Sequence, residues 1–394
     1  MPTRQGYVAL AAGIVALVVA RVFGVLELYV VGAAFLVVVA AGLLYVWTRT
    51  PRVDARRWIH PSVLVAGDVG RVDLELENRG LRTPRFQLHE RVSRSSGGPD
   101  HVATLRVEPF GAGSTATAGY RLPTTTRGLV TLGPLTAELR DPLGVTRRQR
   151  LVGGHDRVVI APRAHRLTVP DLGVGPLGRH LLASARRLGQ GEFHSLREYV
   201  DGDEPRTIHW RASARSDELL VKQHAVEGLR RVVVALDRSP SSYADDASFE
   251  RAIVVAASTV RSSAEADLTT RFVTSGGVEL RGPEVADLTL GVLAEITVDA
   301  DPPRAMERDP SEGIGLLIVI SGRGDSPIAG AVAGMIDPTL TVLPVTTDQA
   351  ARGDLGVGAR TEDEFVRAWR RLAGERGSPA ATVVPPTEMA GAHR

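Results

Sequence analysis

The chain contains no cysteine. Disulfides, thiolate nucleophiles and Cys-ligated zinc are therefore excluded, although this absence leaves the compartment open. Lysine is nearly missing too, with Lys222 standing alone in an otherwise all-arginine basic complement. The sequence has no Gly-x-x-x-x-Gly-Lys-[Ser/Thr] and no Gly-x-Ser-x-Gly. P-loop NTPase and α/β-hydrolase readings lose their main support. Neither sign of charge dominates: 47 basic and 45 acidic residues leave a net +2, so composition does not point to nucleic acid as a partner.

With 394 residues the chain predicts two or three domains. Two long apolar runs open it, Tyr7 to Ala20 and Leu28 to Trp47, with Arg21 and Glu27 marking a short polar break. The second reaches the about 20 residues needed to cross a bilayer, and the first does so if it continues through Phe23. Tyr29, Tyr45 and Trp47 lie near the ends of the second run, as interfacial aromatics do. Arg4 precedes the pair and Arg49, Arg52, Arg56 and Arg57 follow it, so both flanks are expected in the cytoplasm, with residues 1–50 forming a transmembrane hairpin in a lipid bilayer. The alternative, a signal peptide followed by one anchor, meets a poor cleavage site in Val-Ala-Arg-Val-Phe-Gly.

Residues 51–165 carry short alternating runs, Val72–Leu76, Val102–Val107, Ala116–Leu122 and Leu129–Leu139, separated by turn residues. This spacing predicts an all-β, sandwich-like domain closed by the Asp141-Pro-Leu-Gly144 turn and a strand at Val158–Ile160. From 229 to 376 strands and helices alternate. Strands are expected at Arg231–Leu236, Leu268–Thr274, Gly315–Ile320 and Thr341–Val345, and helices at Ala247–Ala264, Pro283–Ile296 and Glu362–Leu372. Such alternation implies a doubly wound, mostly parallel α/β sheet. The tail, 377–394, reads as disordered.

Between these domains, 166–228 forms a charged linker whose core, Gly191 to Arg215, is dense in charge and aromatics. Asp203 is placed to cap a short helix over Thr207–Arg215, with Pro205 in its first turn. Arg197 and Arg206 can pair with Glu192, Asp201 or Asp203 in a partly buried network over Trp210 that fixes the linker. The same platform can instead dock a partner, since Arg and Trp are favoured interface anchors. At the carboxyl end of the first buried strand, Asp237, Ser239 and Ser241 offer one carboxylate and two hydroxyls where open α/β sheets bind ligands. Oxygen-only ligands suit a hard cation such as Mg²⁺, whereas Asp237 alone can also simply cap a turn. His194, His209 and His224 are equally spaced but lack metal-ligand spacing, and Arg323-Gly-Asp-Ser326 carries no chemistry of its own.

Several of these residues occur together in a further pattern. Thr126-Arg-Gly128, Gly133-Pro134, Asp141-Pro-Leu-Gly144, Gly191-Glu-Phe193, Leu196-Arg-Glu-Tyr199, Gly202-Asp203, Arg206, Trp210, Ser213-Ala-Arg215 and the strand ending in Asp237 resemble the bacterial domain-of-unknown-function-58 family, from the hairpin to about Ala373. The resemblance implies a carboxyl-terminal domain like that of von Willebrand factor A, and genomic neighbours that include a MoxR-type AAA+ ATPase and a transglutaminase-like membrane protein. It also implies a metal site, of which Asp237, Ser239 and Ser241 are present. The expected Thr-Asp pair after Ile320 is replaced by Ser321-Gly322, so the site is degenerate. Glu192, Arg197, Tyr199, Asp203, Arg206, Trp210 and Arg215 stand as signature or partner-docking residues. The expected role is that of a non-enzymatic membrane-anchored adaptor. Its rivals are a metal-dependent hydrolase using Asp237 and Asp203, and a solute or nucleic-acid binder using Arg147-Arg148-Arg150 and Arg186-Arg187.

Overall fold

The computed structural model describes residues 1–95, 97, 100–187, 192–200, 208–216, 218–225, 228–308, 313–350 and 353–375, without the side chains of 192–197 and 222–225. Two compact units divide the chain, 1–162 and 163–394.

The first unit opens with helices α1 (Arg4–Phe23) and α2 (Leu26–Arg49), long and apolar enough to cross a membrane. Thr3 caps α1 through its side chain, which accepts the Gly6 N–H, and Gly24 ends the helix in the left-handed conformation. Strands β1 (Val53–His60), β2 (Leu64–Val65), β3 (Gly70–Asn78), β4 (Phe86–Arg94), β5 (His101–Val107), β6 (Thr115–Leu122), β7 (Gly128–Arg140), β8 (Arg147–Gly153) and β9 (Asp156–Ala161) follow. They form a sheet in the order β1-β3-β6 and a second in the order β2-β9-β7-β4-β5, with β8 paired to β7. Along β3 burial alternates, as period-two patterning requires, and Val72, Leu74 and Leu76 meet Leu88, Val130, Leu132 and Leu135 of the other sheet in one core. The alternating runs thus form a two-sheet β unit as the sequence reading expects.

A buried ion network crosses this core. Glu90 is fully buried; its carboxylate accepts Arg57 Nε at 2.9 Å and the Tyr120 hydroxyl at 2.7 Å, while Arg57 also pairs with Asp156. Burial, and then the Glu90 charge, push the Tyr120 phenol far above its ordinary range. At the end of β7, Asp141 is buried and accepts the Thr146 hydroxyl at 2.9 Å, and Gly144 supplies the positive φ of 70° that the turn needs.

The second unit holds α3 (Gly175–Arg187), β10 (Glu192–Glu198), α4 (Trp210–Ser213), β11 (Leu220–Ala225), β12 (Arg231–Leu236), α5 (Asp246–Glu265), β13 (Thr269–Thr274), β14 (Glu279–Arg281), α6 (Val285–Glu295), β15 (Gly315–Ser321), α7 (Ile328–Val332), β16 (Leu340–Thr346), β17 (Val357–Gly358) and α8 (Glu362–Ala373). Its main sheet runs β14-β13-β12-β15-β16-β17, parallel throughout except for β14 at one edge. The faces of β12 divide the packing. Val232, Val234 and Leu236 join α3, α5 and α8 in one core, and Val233 and Ala235 join α7 in another. Every residue of β12 is buried, which is why the strand reads as a continuous apolar run and not as an alternation.

The two units join the hairpin to the β strands and place the expected linker within the second unit. The segment 166–187 is not linker but part of this unit. The Leu167 N–H donates to Ser262 Oγ and the Trp369 indole to the Thr168 carbonyl, both at 2.9 Å, and Leu177 and Leu181 of α3 are fully buried. A strap held by hydrogen bonds to α5 and α8 gives no periodic signal, which is why its residues look like linker.

Candidate functional site

The chain order of the main sheet reverses between β12 and β15. From β12 the chain moves outward to β13 on one side, then returns to β15 on the other. The carboxyl ends of these two strands therefore flank the switch point, the usual ligand crevice of an open α/β sheet. Leu236 pairs with Ile320, so the register sets Asp237 beside Ser321.

Asp237 is fully buried. Its Oδ1 accepts the Ser239 N–H at 2.9 Å, and its Oδ2 accepts the hydroxyls of Ser242 at 2.6 Å and Ser321 at 2.9 Å. The Tyr243 hydroxyl donates to the Asp237 carbonyl at 2.6 Å. Burial, and after it the charges of Asp237 and Asp348, push the Tyr243 phenol well above its ordinary value, so it stays a neutral donor. Asp348 in turn accepts the Ala244 N–H at 2.8 Å.

This arrangement differs from the open triplet expected of Asp237, Ser239 and Ser241. Ser241 is exposed, and its carbonyl accepts from Arg323. The serine that reaches the carboxylate is Ser242, because a 3₁₀ turn over Pro240–Ser242 rotates the chain by one position. Ser239 bonds Asp237 through its backbone, and its buried hydroxyl has no hydrogen-bond partner among the described residues. Both carboxylate oxygens are thus committed to N–H and O–H donors. No cluster of three His, Asp or Glu side chains suited to a metal occurs among the described residues. A single carboxylate that already accepts three protein donors supplies few of the several oxygen ligands that a divalent cation takes at once. The geometry instead fits the turn-capping role of Asp237.

Ser242, Tyr243 and Asp348 are not singled out from sequence, and Ser321 enters there only as a departure from the metal motif. For Ser321 a signal existed, because aligning the buried runs of β12 and β15 places it next to Asp237. Ser242 depended on a turn type that the run Ser239-Pro-Ser-Ser242 does not specify.

The signature segment builds a separate two-stranded arm, β10 antiparallel to β11, with α4 beside it. Asp203 and Arg206 lie outside the described residues. Glu192 and Arg197 lie on β10, and their side chains are not described. The helix is shorter than expected, four residues instead of nine, and its cap is His209, whose Nδ1 accepts the Ala212 N–H at 3.0 Å. Ser213 binds the arm to α4, its hydroxyl accepting the Leu220 N–H at 2.8 Å. Tyr199 is half-buried, and its N–H donates to the Leu219 carbonyl at 2.8 Å. Arg215 is exposed. Trp210 is 64% exposed and so does not pack beneath an ion network. A charge contact does occur on the arm, of an unexpected kind: Glu218 is raised above the ordinary carboxyl value by its hydrogen bond with Glu198 and by that neighbour's charge.

A cavity bounded by Leu167, Val232, Thr259, Leu268 and Trp369 measures about 10 Å³, room for at most one water.

No curated protein matches the chain. Among solved structures, it is similar over 28% of its length to an alkylpurine DNA glycosylase of Pseudomonas fluorescens, with 15% identity, 30% of that chain covered and a TM-score of 0.22. A β-glucosidase of Erythrobacter marinus is similar over 28% of this chain and 15% of its own, with 11% identity and a TM-score of 0.20. A CARDB domain of Pyrococcus furiosus is similar over 28% of this chain and 93% of its own, also with 11% identity and a TM-score of 0.20. At such scores none of the three informs fold or function. Residues 195–283, from the arm through β12, α5 and β13, match the family described as Protein of unknown function DUF58, and this match supports the DUF58 family for the chain.

Proposed function

We propose that the chain is a membrane-anchored adaptor. Its α/β unit is of the von Willebrand A type and docks a MoxR-type AAA+ ATPase, coupling it to envelope assembly or client maturation beside a transglutaminase-like membrane protein. The observation that carries this reading is Trp210. A tryptophan left 64% exposed on a small arm, inside the segment that matches the family, is a ready anchor for a protein partner.

The anchor reading draws on the hairpin. Only 17% and 22% of the most apolar stretches of α1 and α2 are buried, unlike core helices, and Gly13 and Gly32 face each other across the pair with no room for a Cβ, as small residues do between membrane helices. Arg4 and Arg49 mark the end of the hairpin that leads into β1, which favours cytoplasmic soluble units and a multi-pass anchor. Affinity purification of the tagged full chain from membranes tests the adaptor: the ATPase is expected in the eluate.

A further inference from the structure

The turn between β7 and β8 does not hang free of the hairpin. The Thr3 N–H donates to the Val145 carbonyl at 2.9 Å, the Thr3 hydroxyl to the Gly144 carbonyl at 2.7 Å, and the Arg147 N–H to the Met1 carbonyl at 2.9 Å. On the other helix, Arg148 Nη1 donates to the Trp47 carbonyl at 3.1 Å. Val145 and Thr146 are buried where the turn meets the helices: a Cβ on Gly6 would strike the Val145 carbonyl, and one on Gly42 would press on the Thr146 side chain. Two helices and one turn are thus latched at a single level, the level at which Trp47 leaves the apolar run.

The tip of the turn points an apolar side chain outward at that level. Leu143 is 65% exposed, close in sequence to the latch residues yet outside the core that they seal. A leucine on a tight Asp-Pro-Leu-Gly turn in water has no compensating contact. The latched end carries basic residues: Arg4 follows Thr3, Arg49 ends α2, and both are exposed with no ion pair among the described residues, while Arg147 is half exposed with a long 3.7 Å contact to Glu138. The acidic groups nearby are already committed, Asp141 to Thr146, and Glu138 to Arg140 and Gln149. An apolar tip on a turn latched to the arginine-bearing end of a membrane hairpin has the composition of an interfacial lipid contact.

We propose that the β7–β8 turn is a second, non-spanning membrane contact of this protein. Leu143 enters the headgroup layer, and Arg4, Arg49 and Arg147 hold anionic lipid phosphates around it. The partner is the lipid surface itself, and the inference rests on the anchor reading above. Its consequence is mechanical. The β unit is fixed to the bilayer by two helices and a turn rather than swinging on one connection at Thr50.

The absence of cysteine allows a direct test on the full chain in vesicles. Single variants Leu143→Cys, Phe35→Cys and Val69→Cys each carry one environment-sensitive fluorophore, and quenching is read with nitroxide lipids labelled either near the headgroup or deep in the acyl chain. Phe35 reports the middle of α2, and Val69 the far end of the β unit, since Asn78 of β3 pairs with Val53 and Gly70 lies at the opposite end. The expected result is a blue shift and shallow-label quenching at Leu143→Cys, stronger with phosphatidylglycerol than with phosphatidylcholine alone, and no quenching at Val69→Cys. A Leu143→Cys probe that behaves like Val69→Cys while Phe35→Cys is quenched by the deep label overturns the turn contact and spares the anchor. Quenching at Leu143→Cys that is equal in both lipids removes the anionic-lipid part of the proposal. If Phe35→Cys is also unquenched, the anchor reading falls and the turn contact falls with it.

Discussion

Replacing Asp237 by alanine separates a hydrogen-bonded lock from a metal site. The carboxylate accepts hydroxyls from Ser242 at 2.6 Å and Ser321 at 2.9 Å and the N–H of Ser239 at 2.9 Å, all in a fully buried position. Bonds to a charged acceptor contribute about 1.5–3 kcal/mol each, and a buried N–H left unpaired costs about 1–3 kcal/mol. The serine hydroxyls can turn toward other acceptors and the terms are not additive, so the expected loss is about 4 kcal/mol. For a unit of this size that corresponds to a fall in melting temperature of about 8–16 °C. Asp237→Asn keeps one acceptor oxygen and should lose about half as much. The transition is read from Trp369 emission in the full chain, with the other three tryptophans, Trp47, Trp58 and Trp210, replaced by phenylalanine. Mg²⁺ is the control. A cation present at a hundred times its Kd would stabilise the fold by about 2.7 kcal/mol, a rise of several degrees. The lock predicts no rise. A wild-type melting temperature that climbs with Mg²⁺, together with an Asp237→Ala variant that melts like the metal-free wild type, would refute the reasoning.

Arg57→Ala leaves the fully buried Glu90 carboxylate with only the Tyr120 hydroxyl and should cost about 3–5 kcal/mol, measured by denaturant unfolding of the β unit within the full chain. Asp141 and Asp337 are both held below the ordinary aspartate range: burial alone would raise them, and it is outweighed at Asp141 by the Thr146 N–H and hydroxyl and at Asp337 by Thr339 and Arg231. A depressed folded value means stability that is complete above the unfolded pKa of about 4 and is lost as pH falls through the lower folded value. Acid titration of unfolding should therefore be shallower for Asp141→Asn and Asp337→Asn than for wild type, and equal slopes would contradict the assignment. A reporter active only outside the cytoplasm, fused after Arg394, should stay silent; activity there sinks the cytoplasmic orientation.

The elements that were legible in the sequence are those whose burial is periodic or complete. The alternation along Val72–Leu76 and the unbroken run Arg231–Leu236 each place a strand correctly, because a sheet face or a fully buried strand leaves no other arrangement for such residues. The helix Glu362–Ala373 was legible for the same reason, with Phe365, Trp369 and Leu372 buried along one face. Segments held by backbone and side-chain hydrogen bonds were not. The strap at Leu167 and Thr168 carries little periodicity, and its partners Ser262 and Trp369 are distant in the chain. At the candidate site Asp237 was found because it ends a buried run. The choice of Ser242 over Ser241 was decided by a 3₁₀ turn, and burial of the carboxylate by Ser321 across the sheet. Trp210 was visible as a residue of interest, but its exposure was not, because exposure depends on which neighbours the arm brings near it.

The central claim, that this is an adaptor docking through the arm, is tested most directly by one paired measurement on Trp210→Ala: the melting temperature of the full chain, and recovery of the AAA+ ATPase with it from membranes. Because Trp210 is 64% exposed, the account predicts a melting temperature within about 2 °C of wild type and loss of the ATPase from the eluate. A variant that melts as wild type and still retains the ATPase in full would contradict it.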